Sequence, residues 1–403
     1  VVFYKDPVKT SEYLSATFSQ DDGEKYLEMH REFTEYAEKI LIPLTYVTPI
    51  PAIEQVAGLE AAIDDVGARC NEATEMTPIE ILDEWEYSEP VQAALINLFA
   101  MFGSSPNESL GYLFPLMITR MTNSALIAGG SHRLAGALAR AVAENGGEIM
   151  ENAEVVKVTM KNGAVDGVVC ADGREVKAKV VASTVDPKQS FLKFFDADDI
   201  EPDLVASGEN WQWEKTTFFG MHLNLKEAPR YINTEDCDDA NRAMMTFLGI
   251  HDTDEFLDHF ASIEDGQLPE ETLYGRTTTA TLFDPLMAPP GMHTGRWESM
   301  VPYDADWDNI TDEYAAKCIA DWKSWAPNLE SIGQYISPPT HIAKKFLNMV
   351  KGSIKSGAYS PLQMGYFRPN ANASKGYTSI DGFYMCGAGS YPGGMILGGA
   401  GYK

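Results

Sequence analysis

A mixed α/β chain with two cores is the fold class the sequence predicts, and three observations predict it. At 403 residues the chain is long for one hydrophobic core and comfortable for two. Residues 129–184 change from a helical pattern to strands and turns, and residues 190–345 alternate strands with long acidic loops. Near the end, Tyr384-Met-Cys-Gly-Ala-Gly-Ser-Tyr-Pro-Gly-Gly-Met395 runs from an apolar strand into a glycine-saturated turn. Such a turn lets backbone N–H groups approach something flat or anionic.

Residues 1–125 read as mostly helical. Ser19 caps a helix over 19–42 on which Tyr26, Phe33, Ala37 and Ile40 share a face, and Pro43 is expected to stop it. Thr77-Pro-Ile-Glu80 is a capping signal for a helix through Trp85. Two further helices, 90–102 and 108–121, are apolar at Leu95, Leu98, Phe99, Met101, Phe102, Phe114 and Met117. Core packing explains them first, a greasy substrate channel or lid second. The opening Val1-Val-Phe-Tyr-Lys5 has the pattern of a strand interior.

Residues 126–190 start with Ser131 as cap of a small-residue helix that ends at Gly146. Strands are expected at 148–151, 155–160, 164–170 and 174–181, with hairpin turns at Lys161-Asn-Gly163 and Ala171-Asp-Gly173, followed by the strand Val180–Thr184. In residues 191–345, Phe219, Met221, Leu223 and Leu225 point one way and Phe218, His222 and Asn224 the other. Strands at 243–249, 276–283 and 295–303 and a helix at 312–325 complete an antiparallel, substrate-binding sheet. Residues 346–403 return to the unit that contains 126–190.

An apolar share of 44% with 22% charged residues describes a globular chain. Its net charge of −28 argues against nucleic acid and anionic membranes as partners. Lys344, Lys345, Lys351 and Lys355 form the one basic cluster, read as a solvated face or as a means of peripheral membrane contact. Five dispersed cysteines without C-x-x-C and seven scattered histidines predict no metal and fit a reducing, cytoplasmic setting. Ser131-His132 is no nucleophile elbow, because Arg133 stands where a second glycine is needed.

Gly387-Ala-Gly-Ser-Tyr-Pro-Gly-Gly394 resembles the Gly-Ala-Gly-Thr-His-Pro-Gly-Gly signature of phytoene desaturase-like flavoproteins in the amine oxidase superfamily. Asp284-Pro285 with Ala288-Pro-Pro-Gly291 and His293, Val301-Pro-Tyr303, Lys351-Gly-Ser-Ile-Lys-Ser-Gly357 and Tyr366-Phe-Arg-Pro369 resemble further elements of that family, in the same order. The resemblance implies an FAD-binding domain of the glutathione-reductase/amine-oxidase type plus a substrate domain. The FAD domain is incomplete here, because no G-x-G-x-x-G turn precedes a helix; either a first part is absent from this sequence or the chain is a relic that has lost the nucleotide site, and truncation is the simpler expectation.

By the same resemblance, Gly387, Ala388, Gly389, Ser390, Pro392, Gly393, Gly394, Met395 and Ile396 lie along FAD, and Val155 gives backbone contacts to its adenine. Gly129 and Gly130 lie towards the flavin and the substrate. The chain departs at Ser390 for Thr, Tyr391 for His and Met395 for Gly. Tyr391 is the candidate catalytic residue; a free tyrosine pKa of about 10 favours packing or hydrogen bonding over work as a base. His222 is a satisfied structural histidine or faces substrate. Arg368 pairs with a core carboxylate, the favoured role, or approaches flavin and substrate. The implied function is an FAD-dependent desaturase or dehydrogenase that moves a hydride from a hydrophobic, carotenoid or isoprenoid-like substrate. Its alternatives are a flavin amine oxidase with an aromatic cage and a non-catalytic escort of prenylated clients on the same fold.

Overall fold

The computed structural model describes residues 1–62, 64–101, 103–234, 237–269, 273–394 and 398–402. Its first part is helical: α1 (Pro7–Thr17), α2 (Gln20–Tyr36), α3 (Ile42–Thr45), α4 (Ala52–Ala62), α5 (Asp64–Glu75), α6 (Pro78–Asp83), α7 (Glu89–Ala100) and α8 (Phe114–Asn123). Then follow α9 (His132–Glu144), β1 (Val155–Lys161), β2 (Ala164–Cys170), β3 (Glu175–Lys177), β4 (Val181–Ser183), α10 (Pro187–Leu192), α11 (Pro202–Glu209) and β5 (Thr216–Leu225). The rest comprises β6 (Met245–Leu248), α12 (Thr253–Glu264), β7 (Gly275–Thr278), β8 (His293–Pro302), α13 (Trp307–Trp325), β9 (Ser331–Ser337), α14 (Pro339–Lys345), β10 (Phe383–Met385) and α15 (Gly399–Tyr402).

Ser19 caps α2, its hydroxyl accepting the Asp22 amide at 3.0 Å. Pro43 does not stop the helical path as expected. A π-turn over Ala37–Leu41 widens the coil, the Ile42 amide reaching back to Ala37, and the path continues through Pro43 to Thr45. That wider turn accommodates a ring without an N–H. The capping box at Thr77 and Glu80 forms as its spacing predicts. Leu95, Ile96, Phe99 and Phe114 are buried with Tyr26, Phe33, Phe256 and Phe260 in one core. The apolar run of α7 and α8 is therefore packing, and the core joins the first helices to α12; Phe102 lies outside the described residues. Val1–Tyr4 form no strand; the Tyr4 amide binds Thr10 Oγ1 instead.

β1, β2 and β3 form an antiparallel sheet, turning at Asn162-Gly163, where both φ are positive as a tight hairpin requires. No strand forms at 148–151, since no described segment pairs with it. β4 pairs in parallel with β10, which ties residues 181–183 to 383–385 over a core of Val158, Val165, Phe191, Phe195 and Phe383. Ser131 occupies the cap position of α9 but makes no side-chain capping bond, contrary to expectation. The apolar stripe of α9, Leu134, Leu138 and Val142, is exposed.

The larger sheet is antiparallel in the order β6-β7-β8-β5-β9. Phe219, Met221, Leu223 and Trp297 pack with Trp307 and Trp322 of α13 on one face, as the alternation in β5 predicts. The expected strand 276–283 ends at Thr278, where the chain coils into a 3-10 turn at Ala280–Leu282 and brings Asp284 to the Gly129 amide.

Candidate active site

β4 and β10 run parallel and end together, so the chain after Ser183 and the glycine loop after Met385 leave the same sheet edge. In α/β folds the crevice beyond such strand ends is where ligands sit. The loop is seated by Cys386, whose amide donates to the Ser183 carbonyl at 2.8 Å. Gly387 has φ +79, and a Cβ on it would lie 3.1 Å from the Thr184 carbonyl oxygen, so only glycine fits there. Ser390 is buried and its hydroxyl donates to the Gly387 carbonyl at 3.1 Å, so the hydroxyl kept in place of Thr closes the loop on itself. The amides of Gly387, Ala388 and Gly389 find no acceptor among the described residues. Three successive donors at the mouth of a parallel pair suit a phosphate or the polar edge of a ring. Met395 and Ile396 lie outside the described residues.

Two buried side chains hold this loop. Arg368 has no exposed surface and donates from Nε to the Ala388 carbonyl at 2.8 Å, from Nη1 to the Gln363 carbonyl at 3.0 Å and from Nη2 to the Lys355 carbonyl at 2.9 Å. Its partners are carbonyls and not the expected carboxylate, and its buried fork gives no open donor to a substrate. Arg368 therefore positions the loop. Tyr359 has two cations against its ring, with Lys355 Nζ and the Arg368 guanidinium each 5.0 Å from its centre. Its hydroxyl accepts the Gly394 amide, and a Cβ on Gly393 would stand 2.9 Å from that oxygen.

Tyr391 donates its hydroxyl proton to the Leu44 carbonyl at 2.5 Å, and burial pushes its pKa up to about 12. A phenol so held is a poor base; it fastens the loop to α3. Gly129 and Gly130 have φ of +80 and +101 and sit against Arg133 and His132. Val155 opens β1 opposite Cys170 and packs on the core beneath the parallel pair.

His222 is exposed rather than a satisfied structural histidine. It faces the side of the larger sheet away from α13, opposite Arg296 in β8 and Tyr335 in β9, and partial burial and then Arg296 lower its pKa. Arg276 and Arg296 both pair with Glu298 on the same face. Lys355 is not part of a surface cluster. It is buried, donates to the Gly103 carbonyl at 2.6 Å, and burial lowers its pKa to about 8. Lys344 and Lys351 lie 3.9 and 3.5 Å from Asp308 and Asp304. Sequence reasoning missed Tyr359, Arg276, Arg296 and Glu298; the period-two alternation of β8 was the available signal for the last two. Among the described residues no group of three His, Cys, Asp or Glu could hold a metal, and no helix is long and apolar enough to cross a membrane.

Residues 71–210 match the family described as flavin containing amine oxidoreductase. A limonene dehydrogenase subunit of Castellaniella defragrans is 34% identical over 96% of this chain and 73% of its own length. Phytoene desaturase (lycopene-forming) of a Paracoccus species is 29% identical over 67% of this chain and 52% of its own. Pyridine nucleotide-disulfide oxidoreductase domain-containing protein 2 of Rattus norvegicus is 27% identical, over 80% of this chain and 58% of its own. The chain thus spans between 52% and 73% of the length of these relatives. Among solved structures, an oxidoreductase from Methanosarcina mazei superposes with a TM-score of 0.53 at 14% identity, over 97% of this chain and 74% of that one. A putrescine oxidase variant does so with a TM-score of 0.52 at 11% identity, over 89% and 69%. At such identities these two show a shared fold and nothing finer.

Proposed function

Because the chain belongs to the flavin containing amine oxidoreductases, on their phytoene desaturase-like side, we propose that it uses FAD to dehydrogenate a small hydrophobic substrate at a C–H bond. FAD, when bound, takes up the hydride that leaves the substrate carbon. The residues present fit the part of FAD that a glycine loop receives, and the donor amides of Gly387, Ala388 and Gly389 would hold it. Arg368, through the Ala388 carbonyl, keeps those amides aimed and Tyr359 holds the far side of the loop at Gly394, so little reorganisation is left for the reaction itself. Tyr391 closes the loop against the Leu44 carbonyl and helps exclude water.

The three open amides at the end of the parallel pair are the observation that carries this reading. Tyr359 argues against an amine as substrate, because its ring already has Lys355 and Arg368 at 5.0 Å and a substrate ammonium would meet two like charges. The hydrophobic substrate is supported by relatives named for limonene and phytoene.

The test is spectroscopic. The purified chain is given FAD, its visible flavin absorption is recorded, and terpenoid hydrocarbons, terpenoid acids and putrescine are added under anaerobic conditions. Bleaching by the terpenoids and not by putrescine is expected. A chain that folds but retains no flavin, or one that putrescine alone bleaches, overturns the reading.

A further inference from the structure

The face of the larger sheet opposite α13 carries an unbalanced charge. Arg276 of β7 lies directly across from Glu298 of β8, and Arg296 of β8 across from His222 of β5. Glu298 is 6% exposed and accepts from both guanidiniums, one on each carboxylate oxygen. Two cations against one anion leave one positive charge without a partner in the cluster. Burial, and then repulsion from Arg296, lower the Arg276 pKa to about 10.

Donors are also left over. Arg276 spends Nη1 on the Met101 carbonyl at 3.1 Å and Nη2 on Glu298, while its buried Nε has no partner. Arg296 keeps half of its side chain open to solvent. Beside Glu298 the next strand presents Gly220, buried and without a side chain, where an added Cβ would come no closer than 3.9 Å to Ser337. Phe218, buried with its ring 5.2 Å from the Arg276 guanidinium, and Met300, packed against the first helical core, give the cluster an apolar inner wall.

A line of contacts links this cluster to the glycine loop. Arg276 holds the carbonyl of Met101 and Lys355 that of Gly103, two residues on in the sequence; Lys355 packs on Tyr359, and Tyr359 holds Gly394. A buried ion cluster is poor value for stability alone, since well-packed apolar residues often do as well. A planar guanidinium fork beside an apolar wall suits a carboxylate at the end of a hydrophobic molecule.

We propose that Arg276 and Arg296, arranged by Glu298, form a carboxylate-binding subsite, and that the hydrophobic substrate of this chain carries a carboxylate at the end away from the reacting carbon. This rests on the dehydrogenase reading only for the identification of that molecule as substrate.

The experiment titrates the purified 403-residue chain with octanoate and with octanamide, its neutral isostere, at low and high ionic strength, and follows tryptophan fluorescence. Octanoate is expected to bind about tenfold more tightly than octanamide at low salt, with the advantage shrinking as salt rises. Arg296→Gln, at a half-exposed position, should bring the ratio close to one and leave octanamide binding unchanged. Glu298→Gln removes the competing internal carboxylate and should raise the ratio. Equal binding of the two ligands by the parent chain, or an undiminished ratio in Arg296→Gln, overturns the proposal. Failure of FAD to bind would sink the dehydrogenase reading and leave this titration as it stands.

Discussion

The Tyr359 hydroxyl accepts the amide hydrogen of Gly394 at 2.8 Å, so a side chain from the segment before Arg368 fixes the tip of the glycine loop. Tyr359→Phe keeps the ring beside Lys355 and Arg368 and removes only that acceptor. Losing one hydrogen bond of roughly 1 kcal/mol should weaken FAD binding by about five- to tenfold, with the melting temperature nearly unchanged. Flavin fluorescence quenching on titration gives the affinity.

Gly387→Ala should be harsher. The residue combines φ +79 with a carbonyl oxygen 3.1 Å from the added methyl group, so both the backbone and its surroundings resist the change. A loss of about 1–2 kcal/mol in stability is expected, together with loss of flavin retention. Urea denaturation and the visible spectrum of the purified variant check the two effects.

Tyr391→Phe separates fastening from base catalysis. The hydroxyl donates to the Leu44 carbonyl and its pKa lies at about 12, so the variant should keep most of the turnover and lose thermal stability at the loop. A fall in turnover of roughly a thousandfold or more, without a shift in melting, would instead mark Tyr391 as the proton acceptor.

His259 governs part of the acid limb of stability. Burial lowers its pKa from 6.5 to about 4 beside the Tyr274 ring, so the folded chain binds fewer protons here than the unfolded chain between those values. Its contribution is complete above pH 6.5 and is lost as pH falls towards 4, a loss on the order of 2–3 kcal/mol. His259→Gln should flatten the plot of unfolding free energy against pH in that window. An unchanged slope would show that other groups carry the acid limb.

Leu138→Glu supplies the contrast. Leu138 is 61% exposed on α9, and no residue of that helix is buried. The substitution should shift the stability of this chain by no more than about 0.5 kcal/mol, as thermal denaturation would show.

Legibility followed the range of each interaction. The capping box at Thr77, the Asn162-Gly163 hairpin turn and the two-sided β5 are local, and their residues name them in the order they occur. Pro43 misled because a widened turn just before it, not the proline alone, decides whether a helix continues. The strand expected at 148–151 had the right residues, yet a strand exists only when another segment pairs with it.

The candidate site divides in the same way. The amino-acid sequence determined the glycine loop, its departures at Ser390 and Tyr391 and, through them, the flavoprotein resemblance, because glycine and proline demand particular backbone geometry wherever they stand. Only the tertiary structure decided that Arg368 serves carbonyls rather than a carboxylate, that Lys355 is buried, and that Arg276, Arg296 and Glu298 meet on one sheet face. A charged side chain carries no mark of its partner until strands and loops far apart in the chain are brought within a few ångströms, and burial then decides how strongly each charge is felt.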